Sequence, residues 1–294
     1  MLDVLYGQVM RRRRRRVERR PDLQRRLRQP VISVGNLSVG GTGKTPVVAA
    51  IAQKLIEAGQ RPSILSRGYA RTEAADGVVV VSDGARIHAT VDRAGDEPLM
   101  LARQVPRAVV CVSPDRHLAG TLAEHQLGCT VHILDDGFQH LELARNLDVL
   151  VTTIGEIPNG RMLPTGRLRE PIDAAARAHF LVVSDATAGA ASSEAWNLGI
   201  SQSCGSLRTL GNPVSLSGRL KPASIGNEKV VAVAGIANPQ RFFDGLKAAG
   251  WNVVESIVFA DHLRFTASDV EAIESIVMAA SADVVYNTDK DAVR

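Results

Sequence analysis

The chain has 294 residues and carries 35 lysine and arginine residues against 31 acidic ones, a formal net charge of +4. Residues 1–29, called the head below, hold eleven arginines and three acidic residues, so the head carries +8 and the rest of the chain −4. This split argues against a protein that binds nucleic acid over its whole surface, because such binding needs basic residues spread over the folded face.

The remaining composition is typical of a soluble globular protein, with 45% hydrophobic and 22% charged residues. Three cysteines, Cys111, Cys129 and Cys204, lie far apart in the sequence. This spacing predicts reduced thiols in a cytosolic compartment and neither a disulfide framework nor a zinc site. No apolar run approaches the ~18–20 residues needed to span a bilayer, so we expect a protein that is soluble or peripheral to a membrane.

After the head, short apolar runs rich in β-branched residues alternate with helical patterns. The predicted strands are Pro30–Val34, Pro62–Ser66, Val78–Val81, Ala108–Val112, Thr130–Leu134, Leu147–Thr153 and Phe180–Val183, and the predicted helices are Thr45–Ala58, Glu97–Gln104 and Arg116–Gln126. Continuous apolar runs are typical of strands covered on both faces. Their alternation with helices predicts an α/β fold with a doubly wound, mainly parallel sheet.

A second strand–helix pattern begins near residue 229. Its predicted strands are Lys229–Ala234, Val253–Phe259 and Val284–Tyr286, and its predicted helices are Pro239–Ala249 and Ala267–Ala280. The stretch between the two patterns is rich in Ala, Ser and Gly, which indicates a connector with one hairpin. The predicted organisation is therefore a head (1–29), a core (30–185), a connector (186–228) and a smaller α/β unit (229–294).

A glycine-rich segment lies between the first predicted strand and the first predicted helix. Residues 40–45 read Gly-Gly-Thr-Gly-Lys-Thr, and in this position such a loop wraps its backbone N–H groups around phosphate oxygens. Lys44 is expected to reach the β- and γ-phosphates and the Thr45 hydroxyl to ligate Mg²⁺. Ser38 stands where the first glycine of such loops is usual. The pattern predicts a P-loop NTPase-type nucleotide site; the alternative is a glycine-rich turn with a chance lysine.

A phosphate loop needs a second Mg²⁺ anchor, which is usually an aspartate at the end of an apolar strand. The predicted strand Thr130–Leu134 runs directly into Asp135 and Asp136. Few carboxylates, together with waters and phosphate oxygens, suit Mg²⁺. The alternative is an acidic turn without a metal. Together the two motifs predict a nucleoside triphosphate with Mg²⁺, but they leave the acceptor open.

Further motifs surround these two. They are Leu-Ser-Arg-Gly-Tyr at 65–69, Gly-Asp-Glu-Pro at 95–98, Asp-Asp-Gly-Phe-Gln-His at 135–140, Leu-Pro-Thr-Gly-Arg-Leu-Arg-Glu-Pro at 163–171 and Asp-His at 261–262. In this order the chain, from about Leu5 to its end, resembles the tetraacyldisaccharide 4′-kinase family. The resemblance implies phosphorylation of the 4′-hydroxyl of the lipid A disaccharide precursor, at the cytoplasmic face of the inner membrane of Gram-negative bacteria.

The resemblance also implies roles for individual residues. Asp96 would take the proton from the acceptor hydroxyl, with His262 as its partner from the second unit and Lys44 at the transferred phosphate. The implied nucleotide-binding residues are Gly40, Gly41, Thr42, Gly43, Lys44, Thr45, Arg116 and Gln139, the implied substrate-binding residues are Arg67, Tyr69, Glu97, His140 and Glu170, and the implied metal ligands are Thr45, Asp135 and Asp136. The implied cofactors are ATP and Mg²⁺.

Two of these roles compete with simpler interpretations. Asp96 precedes Glu97-Pro98, so it is also the expected N-cap of a helix. His262 is, by its sequence context alone, a histidine that follows a strand. A sugar hydroxyl is a weak nucleophile that gains from a positioned carboxylate base, and the resemblance favours the catalytic interpretation of both residues.

The arginine-rich head has three interpretations. It is a solvated charge run, a nucleic-acid or targeting tail, or a membrane-surface anchor in which Leu2, Leu5, Tyr6 and Val9 form one helical stripe in front of the arginines. A lipid substrate favours the third. We therefore predict a monomeric lipid A precursor kinase, peripheral to an anionic membrane surface, without a nucleic-acid partner.

Two other classes of P-loop protein remain as alternatives. One is a P-loop kinase that acts on a soluble metabolite. The other is a regulatory NTPase with a different target, but Val39 occupies the position of the extra lysine in the loop of the membrane- or DNA-associated ATPases. A nucleic-acid-binding NTPase would show an affinity for DNA or RNA that falls steeply with salt and needs the head.

Overall fold

The apolar runs of the first 207 residues form one eight-stranded sheet. This computed structural model describes residues 2–69, 71–73, 77–157, 160–216 and 227–294. The strands are β1 (Val31–Gly35), β2 (Pro62–Ser66), β3 (Val79–Asp83), β4 (Val109–Val112), β5 (Val131–Asp135), β6 (Leu147–Thr153), β7 (Phe180–Ser184) and β8 (Ser203–Ser206). Their order is β3-β4-β2-β5-β1-β6-β7-β8, and every pair is parallel except β3–β4. The predicted doubly wound, mainly parallel sheet is confirmed.

Helices cover this sheet. They are α1 (Leu2–Arg19), α2 (Lys44–Glu57), α3 (Val91–Ala94), α4 (Asp96–Gln104), α5 (Arg116–His125) and α6 (Ala188–Leu198), with 3₁₀ turns at Pro21–Leu23 and Ile172–Arg177. Large apolar side chains such as Leu65, Leu134 and Leu143 pack in one core cluster, and others such as Leu150, Leu168 and Leu181 pack in another. The central strands are buried along their length, which explains their uninterrupted apolar sequences.

The strand order places two loops side by side. β1 lies between β5 and β6, and Val34 is in register with Asp135. The carboxyl ends of parallel strands meet at one edge of the sheet, so the loop after β1 and the acidic pair after β5 are neighbours. In open α/β sheets this edge is where ligands bind.

The head is helical well beyond its apolar residues and packs on the first unit. Gly7 and Arg14 of α1 are buried. Among the described residues, four ion pairs join α1 to later segments of the same unit, namely Arg11–Asp173, Arg13–Glu142, Arg14–Glu170 and Glu18–Arg177. The predicted stripe is exposed at Leu2, Leu5 and Val9, whereas Tyr6 is half-buried. None of the described helices combines the length and the apolarity needed to cross a membrane.

The predicted connector differs from the structure. Within 186–228 lie the helix α6 and the strand β8, which pairs in parallel with β7 and shows no hairpin partner among the described residues. Ala191, Ala195 and Leu198 bury one face of α6, and small residues on a helix give no strong hydrophobic periodicity. The Thr187 side chain, which accepts a hydrogen bond from a backbone N–H, marks the start of α6. Residues 217–226 of the predicted connector lie outside the described residues.

The second compact unit comprises residues 208–294. It contains β9 (Lys229–Ala234), α7 (Pro239–Ala248), β10 (Asn252–Val258), α8 (Ala267–Ala279) and β11 (Val284–Asn287), followed by a 3₁₀ turn at Asp291–Val293. Its three strands are parallel in the order β10-β9-β11. Val230, Phe243, Leu246 and Trp251 belong to its core. The predicted unit, residues 229–294, contains all of these helices and strands, whereas the compact unit begins at residue 208.

Candidate active site

The phosphate loop leaves β1 and ends in α2. Gly43 caps α2 with a φ of 88°, a left-handed conformation that glycine adopts without steric cost. Lys44 and Thr45 are the first two residues of the helix. Their side chains therefore lie at a helix N-terminus, where unpaired N–H groups and the helix dipole favour a bound phosphate.

Buried side chains hold this loop from inside the sheet. Asn36 Nδ2 donates a hydrogen bond to Thr42 Oγ1 at 3.1 Å, and Ser184 Oγ donates to the Thr42 carbonyl at 2.9 Å. Asn36 follows β1 and Ser184 ends β7. Contacts to two strand ends thus hold the loop in place.

The segment 167–170 pairs with the first half of the phosphate loop. The Val39 N–H donates to the Arg167 carbonyl at 2.8 Å, and the Arg169 N–H donates to the Leu37 carbonyl at 2.6 Å. The Arg167 guanidinium also donates to the Val39 carbonyl, with distances of 3.0 and 2.7 Å. These hydrogen bonds bring the Leu-Arg-Glu-Pro motif beside the nucleotide loop.

The acidic pair at the end of β5 lies between cationic side chains. Lys44 Nζ is 3.6 Å from Asp136 Oδ1, and the Arg169 guanidinium donates to Asp136 Oδ2 at 2.7 Å. The buried Asp135 accepts a hydrogen bond of 3.2 Å from Ser66 Oγ, at the end of β2. The predicted nucleotide and metal residues Lys44, Asp135 and Asp136 therefore meet at one sheet edge.

The two carboxyl groups differ electrostatically. Burial, reinforced by the nearby Glu97 and Asp136 charges, raises the pKa of Asp135 to about 7. Burial would also raise the pKa of Asp136, but Lys44 and Arg169 hold it below its ordinary value. A buried carboxylate with too little positive charge around it favours an added cation. This donor set, with the Thr45 hydroxyl, suits a hard divalent ion such as Mg²⁺.

Asp96 begins α4 but does not cap it. The N-cap is Gly95, and the Asp96 carboxylate, whose residue is 5% exposed, accepts a hydrogen bond of 2.9 Å from the Glu97 N–H. The Glu97 charge raises the pKa of Asp135, so the Gly-Asp-Glu-Pro motif lies near the acidic pair. The simpler interpretation, in which Asp96 is the N-cap residue of α4, is therefore wrong, because Gly95 occupies that position.

Gly95 joins this motif to the loop after β2. Its φ of 85° and ψ of 161° lie in a region used almost only by glycine. A Cβ at Gly95 would lie 2.5 Å from the Tyr69 carbonyl oxygen. The loop with Arg67 and Tyr69 therefore packs directly against the start of α4. Tyr69 itself is 72% exposed to solvent.

We expect Gly95→Ala to lower the free energy of unfolding by about 3 kcal/mol, because backbone strain adds to the clash with the Tyr69 carbonyl. Gly59→Ala is the matched control, since Gly59 also has a positive φ of 76° but open space around a Cβ. It should cost about 1 kcal/mol. Urea denaturation measures both, and equal losses would contradict the close contact at Gly95.

A cluster of positive charge lies beside the acidic pair. Arg116 is buried, and its Nε has no hydrogen-bond partner among the residues the structure describes. Burial, and next the Arg67 charge, lower the pKa of Arg116. Burial, with the Arg116 and Arg145 charges, lowers the pKa of His140 to about 4, so His140 is neutral at pH 7. An anion among these groups would relieve their mutual repulsion.

Gln139 and Glu170 complete the set of predicted residues in the first unit. Gln139 Nε2 donates to the Asn36 carbonyl at 2.8 Å, which joins the Asp-Asp-Gly-Phe-Gln-His motif to the phosphate loop. Glu170 is buried and forms an ion pair with Arg14 of α1. Within the described part of the chain, Gln139 Oε1 and Glu170 Oε1 are buried without a hydrogen-bond partner. Each retains acceptor capacity.

His262 belongs to the second unit and has a φ of 63°, which is uncommon for a residue other than glycine. Its ring nitrogens lie 3.4 Å from Lys290 Nζ and 3.4 Å from an Arg294 guanidinium nitrogen. The Asp261 carboxylate contacts the same two cations, at 3.1 and 3.6 Å. Strained backbone conformations of this kind persist where the surrounding contacts hold them, and they are frequent at functional sites.

Comparison with known proteins identifies the family. A family model described as "Tetraacyldisaccharide-1-P 4'-kinase" matches residues 1–294. The chain belongs to this family. It is therefore an ATP-dependent kinase of the lipid A disaccharide precursor, and the family, fold and activity predicted from the sequence are confirmed. The alternatives of a regulatory NTPase and of a kinase for another metabolite are set aside.

Individual relatives match more than nine tenths of this chain. The tetraacyldisaccharide 4′-kinase of Geobacter sulfurreducens is 42% identical over 294 residues, covering 99% of this chain and 82% of the relative. That of Pelobacter propionicus is 41% identical over 273 residues, covering 92% and 75%. A crystal structure described as the "apo" form of LpxK from Aquifex aeolicus in complex with ATP is 31% identical, with a TM-score of 0.81, and covers 99% of this chain and 87% of that one.

Several residues that support the site of this kinase are missed by the motif-based prediction. Arg169 lies in one of the motifs without a predicted role, and it pairs with Asp136. Arg145 donates to the carbonyls of His140 and Phe138, which fixes the turn after the acidic pair. Arg14 is one of six consecutive arginines in the sequence. Its signal lies in the helical spacing, because it follows Gly7 and Met10 on the packed face of α1.

Proposed function

We propose that the kinase transfers the γ-phosphoryl group of ATP to the 4′-hydroxyl of tetraacyldisaccharide 1-phosphate at the sheet edge formed by β1 and β5. The convergence of Lys44, Arg67 and Arg116 around the acidic pair carries this proposal. Phosphoryl transfer depends mainly on positioning and on neutralising the charge of the transferred group. A cationic cluster is suited to that task, because the buried Nε of Arg116 has no hydrogen-bond partner within the described part of the chain.

The nucleotide would lie on the phosphate loop. We assign its phosphates to the backbone of Gly40, Gly41, Thr42 and Gly43 and to the side chains of Lys44, Thr45, Arg116 and Gln139. Lys44 is already oriented toward Asp136 at 3.6 Å. In this arrangement Lys44 exchanges a carboxylate contact for a phosphate contact without leaving the helix N-terminus.

Thr45, Asp135 and Asp136 would hold Mg²⁺. The ion, when bound, neutralises phosphate charge and fixes the orientation of the phosphates. The residues fit it because burial and the neighbouring charges of Glu97 and Asp136 raise the pKa of Asp135, and a cation bound there would offset both effects. Arg169, by pairing with Asp136 Oδ2, leaves Oδ1 on the side of Lys44.

Asp96 is the group we propose to accept the proton of the 4′-hydroxyl. Its carboxylate is almost fully buried and held at the start of α4 by the Glu97 N–H. A carboxylate fixed in this way can accept the proton of a hydroxyl group placed within hydrogen-bond reach. For His262 of the second unit we propose the partner role that the family resemblance implies, and Arg67, Tyr69, Glu97, His140 and Glu170 are assigned to the sugar and its phosphate.

One assay tests this function. The purified protein is incubated with ATP, Mg²⁺ and detergent-dispersed tetraacyldisaccharide 1-phosphate, and the expected product is the 4′-phosphorylated, bisphosphorylated lipid. A product phosphorylated at another hydroxyl, or no lipid product from folded protein that binds ATP, would contradict the proposal. Omission of Mg²⁺ should abolish the product, which checks the metal assignment separately.

We propose that α1 holds the kinase at an anionic membrane, on the cytoplasmic face of the inner membrane. Its outer face exposes Leu2, Val4, Leu5 and Val9. The following turns expose five arginines that line one shallow depression, namely Arg12, Arg15, Arg16, Arg19 and Arg20. An apolar patch followed by clustered cations matches the interfacial layer of a bilayer with acidic headgroups.

The triple variant Arg12→Gln/Arg15→Gln/Arg16→Gln should bind vesicles that contain phosphatidylglycerol more weakly by about 3 kcal/mol, or roughly 10²-fold, because each cation near the surface contributes about 1 kcal/mol. Vesicle sedimentation at low salt measures the effect. The matched control removes the same charge elsewhere, at the exposed Lys54, Arg86 and Arg107. Equal weakening by both variants would show that net charge, and not α1, governs binding.

A further inference from the structure

One arginine of the head points into the first unit and not toward solvent. Arg14 is 7% exposed. It lies on the packed face of α1 with the buried Gly7 and the half-buried Met10 and Val17, at helical spacings of three and four residues. The membrane proposal uses the opposite face of this helix, so it does not explain Arg14.

Arg14 has two partners, both fully buried. Its guanidinium forms an ion pair with the Glu170 carboxylate, and its central carbon lies 5.2 Å from the centroid of the Phe138 ring. Glu170 is 2% exposed and Phe138 1% exposed. The planar guanidinium thus combines a charged hydrogen bond with a cation–π contact. A lysine ammonium lacks the planar face that stacks on an aromatic ring, and a neutral side chain lacks the charge.

The two partners belong to the two segments that support the acidic pair. Glu170 directly follows Arg169, which pairs with Asp136 and is hydrogen-bonded to the phosphate loop. Phe138 lies two residues after Asp136 and packs on β1 so closely that a Cβ at Gly35 would be 2.6 Å from Phe138 Cβ. Arg14 therefore connects both segments to α1.

We propose that Arg14 is a positioning residue of the kinase. It holds the Glu170 carboxylate and the Phe138 ring so that the segments 135–140 and 167–170 keep their geometry against the phosphate loop. The helix that we assign to the membrane surface is thereby also a structural part of the active site. The inference rests on the role proposed for Glu170 at the acceptor.

Loss of Arg14 would leave Glu170 buried without a counter-charge. Such a group binds a proton or moves out of its position, and in both cases the site changes. We expect Arg14→Met to lower kcat by about 10- to 100-fold, the usual range for residues that orient a functional group. Arg14→Lys keeps the charge but not the planar contacts, and we expect it to recover only part of kcat.

The matched control is Arg13→Met. Arg13 is adjacent on the same helix, but its side chain is 46% exposed and its ion pair with Glu142 measures 3.8 Å. Assays use detergent-dispersed lipid, so that membrane binding does not limit the rate. Arg13→Met should stay within about twofold of the parent, as surface substitutions do. Equal kcat values for Arg14→Met and Arg13→Met would overturn the proposal.

A double-mutant cycle with Glu170→Gln separates positioning from folding. If Arg14 acts through Glu170, adding Arg14→Met to Glu170→Gln should lower kcat further by less than about threefold. The double variant should also regain thermal stability relative to Arg14→Met, because no buried charge is left unpaired, while kcat stays low. If the loss of kcat in the double variant equals the product of the losses in the two single variants, the two residues act independently and the inference is overturned. If the Arg14→Met variant does not fold, comparing kcat of the double variant with kcat of Glu170→Gln still tests the inference.

The same cycle distinguishes this inference from the proposed function. A Glu170→Gln variant with full kcat would refute the role of Glu170, and with it the positioning role of Arg14. Formation of the bisphosphorylated lipid by the parent protein would leave the kinase function intact in that case. Failure of the parent protein to form that product would instead contradict the function itself.

Discussion

Replacing Asp96 by asparagine is expected to lower kcat by about 10²- to 10⁴-fold, the contribution of a positioned general base. The side chain is buried at the start of α4, and asparagine has nearly the same shape but cannot take a proton. The affinity for ATP should change little, because we assign no nucleotide contact to Asp96. Steady-state kinetics with detergent-dispersed lipid and a separate ATP titration measure the two quantities.

The control for Asp96 is Asp244→Asn on the exposed face of α7, which should leave kcat within about twofold. Parallel loss of kcat and of ATP affinity in Asp96→Asn would show that the carboxylate mainly stabilises the start of α4. Because Gly95 and not Asp96 is the N-cap, we expect the two quantities to separate.

Lys44→Met is expected to lower kcat/KM for ATP by about 10³-fold, the cost of removing one oriented electrostatic partner from the transferred phosphate. Lys44 is the first residue of α2, and its side chain is 14% exposed beside Asp136. Without this cation the pKa of Asp136 should rise, because Lys44 is one of the two charges that hold it down. Initial rates over a range of ATP concentrations measure the loss.

Lys54→Met is the matched control for Lys44. Lys54 lies on the same helix, but its side chain is 81% exposed and pairs only with Glu57, on the helix surface, among the ion pairs described. We expect kcat/KM to stay within about twofold of the parent. A Lys44→Met variant that keeps more than about a tenth of the parent kcat/KM would show that phosphate charge is neutralised mainly by the arginines.

The strands and their mainly parallel arrangement were predictable because burial on both faces leaves a strong mark on the sequence. β2, β6 and β9 begin and end at the predicted residues. The helix α6 and the edge strand β8 were missed for the opposite reason. Their buried residues are mostly small, and the edge strand Ser203–Ser206 is only partly buried, so neither gives a clear periodic signal.

The core of the candidate site was also predictable, because its parts are local motifs at strand ends. The phosphate loop follows β1 and the acidic pair follows β5, and parallel strands bring their carboxyl ends together. The sequence could not show that Asp135 and Asp136 differ in pKa. That difference depends on Lys44 and Arg169, and Arg169 lies 33 residues beyond Asp136.

The difference in net charge between the head and the rest of the chain also shows what sequence and tertiary structure each determine. The amino-acid sequence alone determined that the net positive charge lies in the head, that the body has the pattern of a P-loop α/β kinase and which motifs carry its chemistry, because net charge and local motifs are read without knowledge of the fold. Only the tertiary structure decided which arginines of the head face solvent. Arg14 is buried against Glu170 and Phe138, more than a hundred residues away along the chain, and a run of identical residues cannot show which of them meets a distant partner.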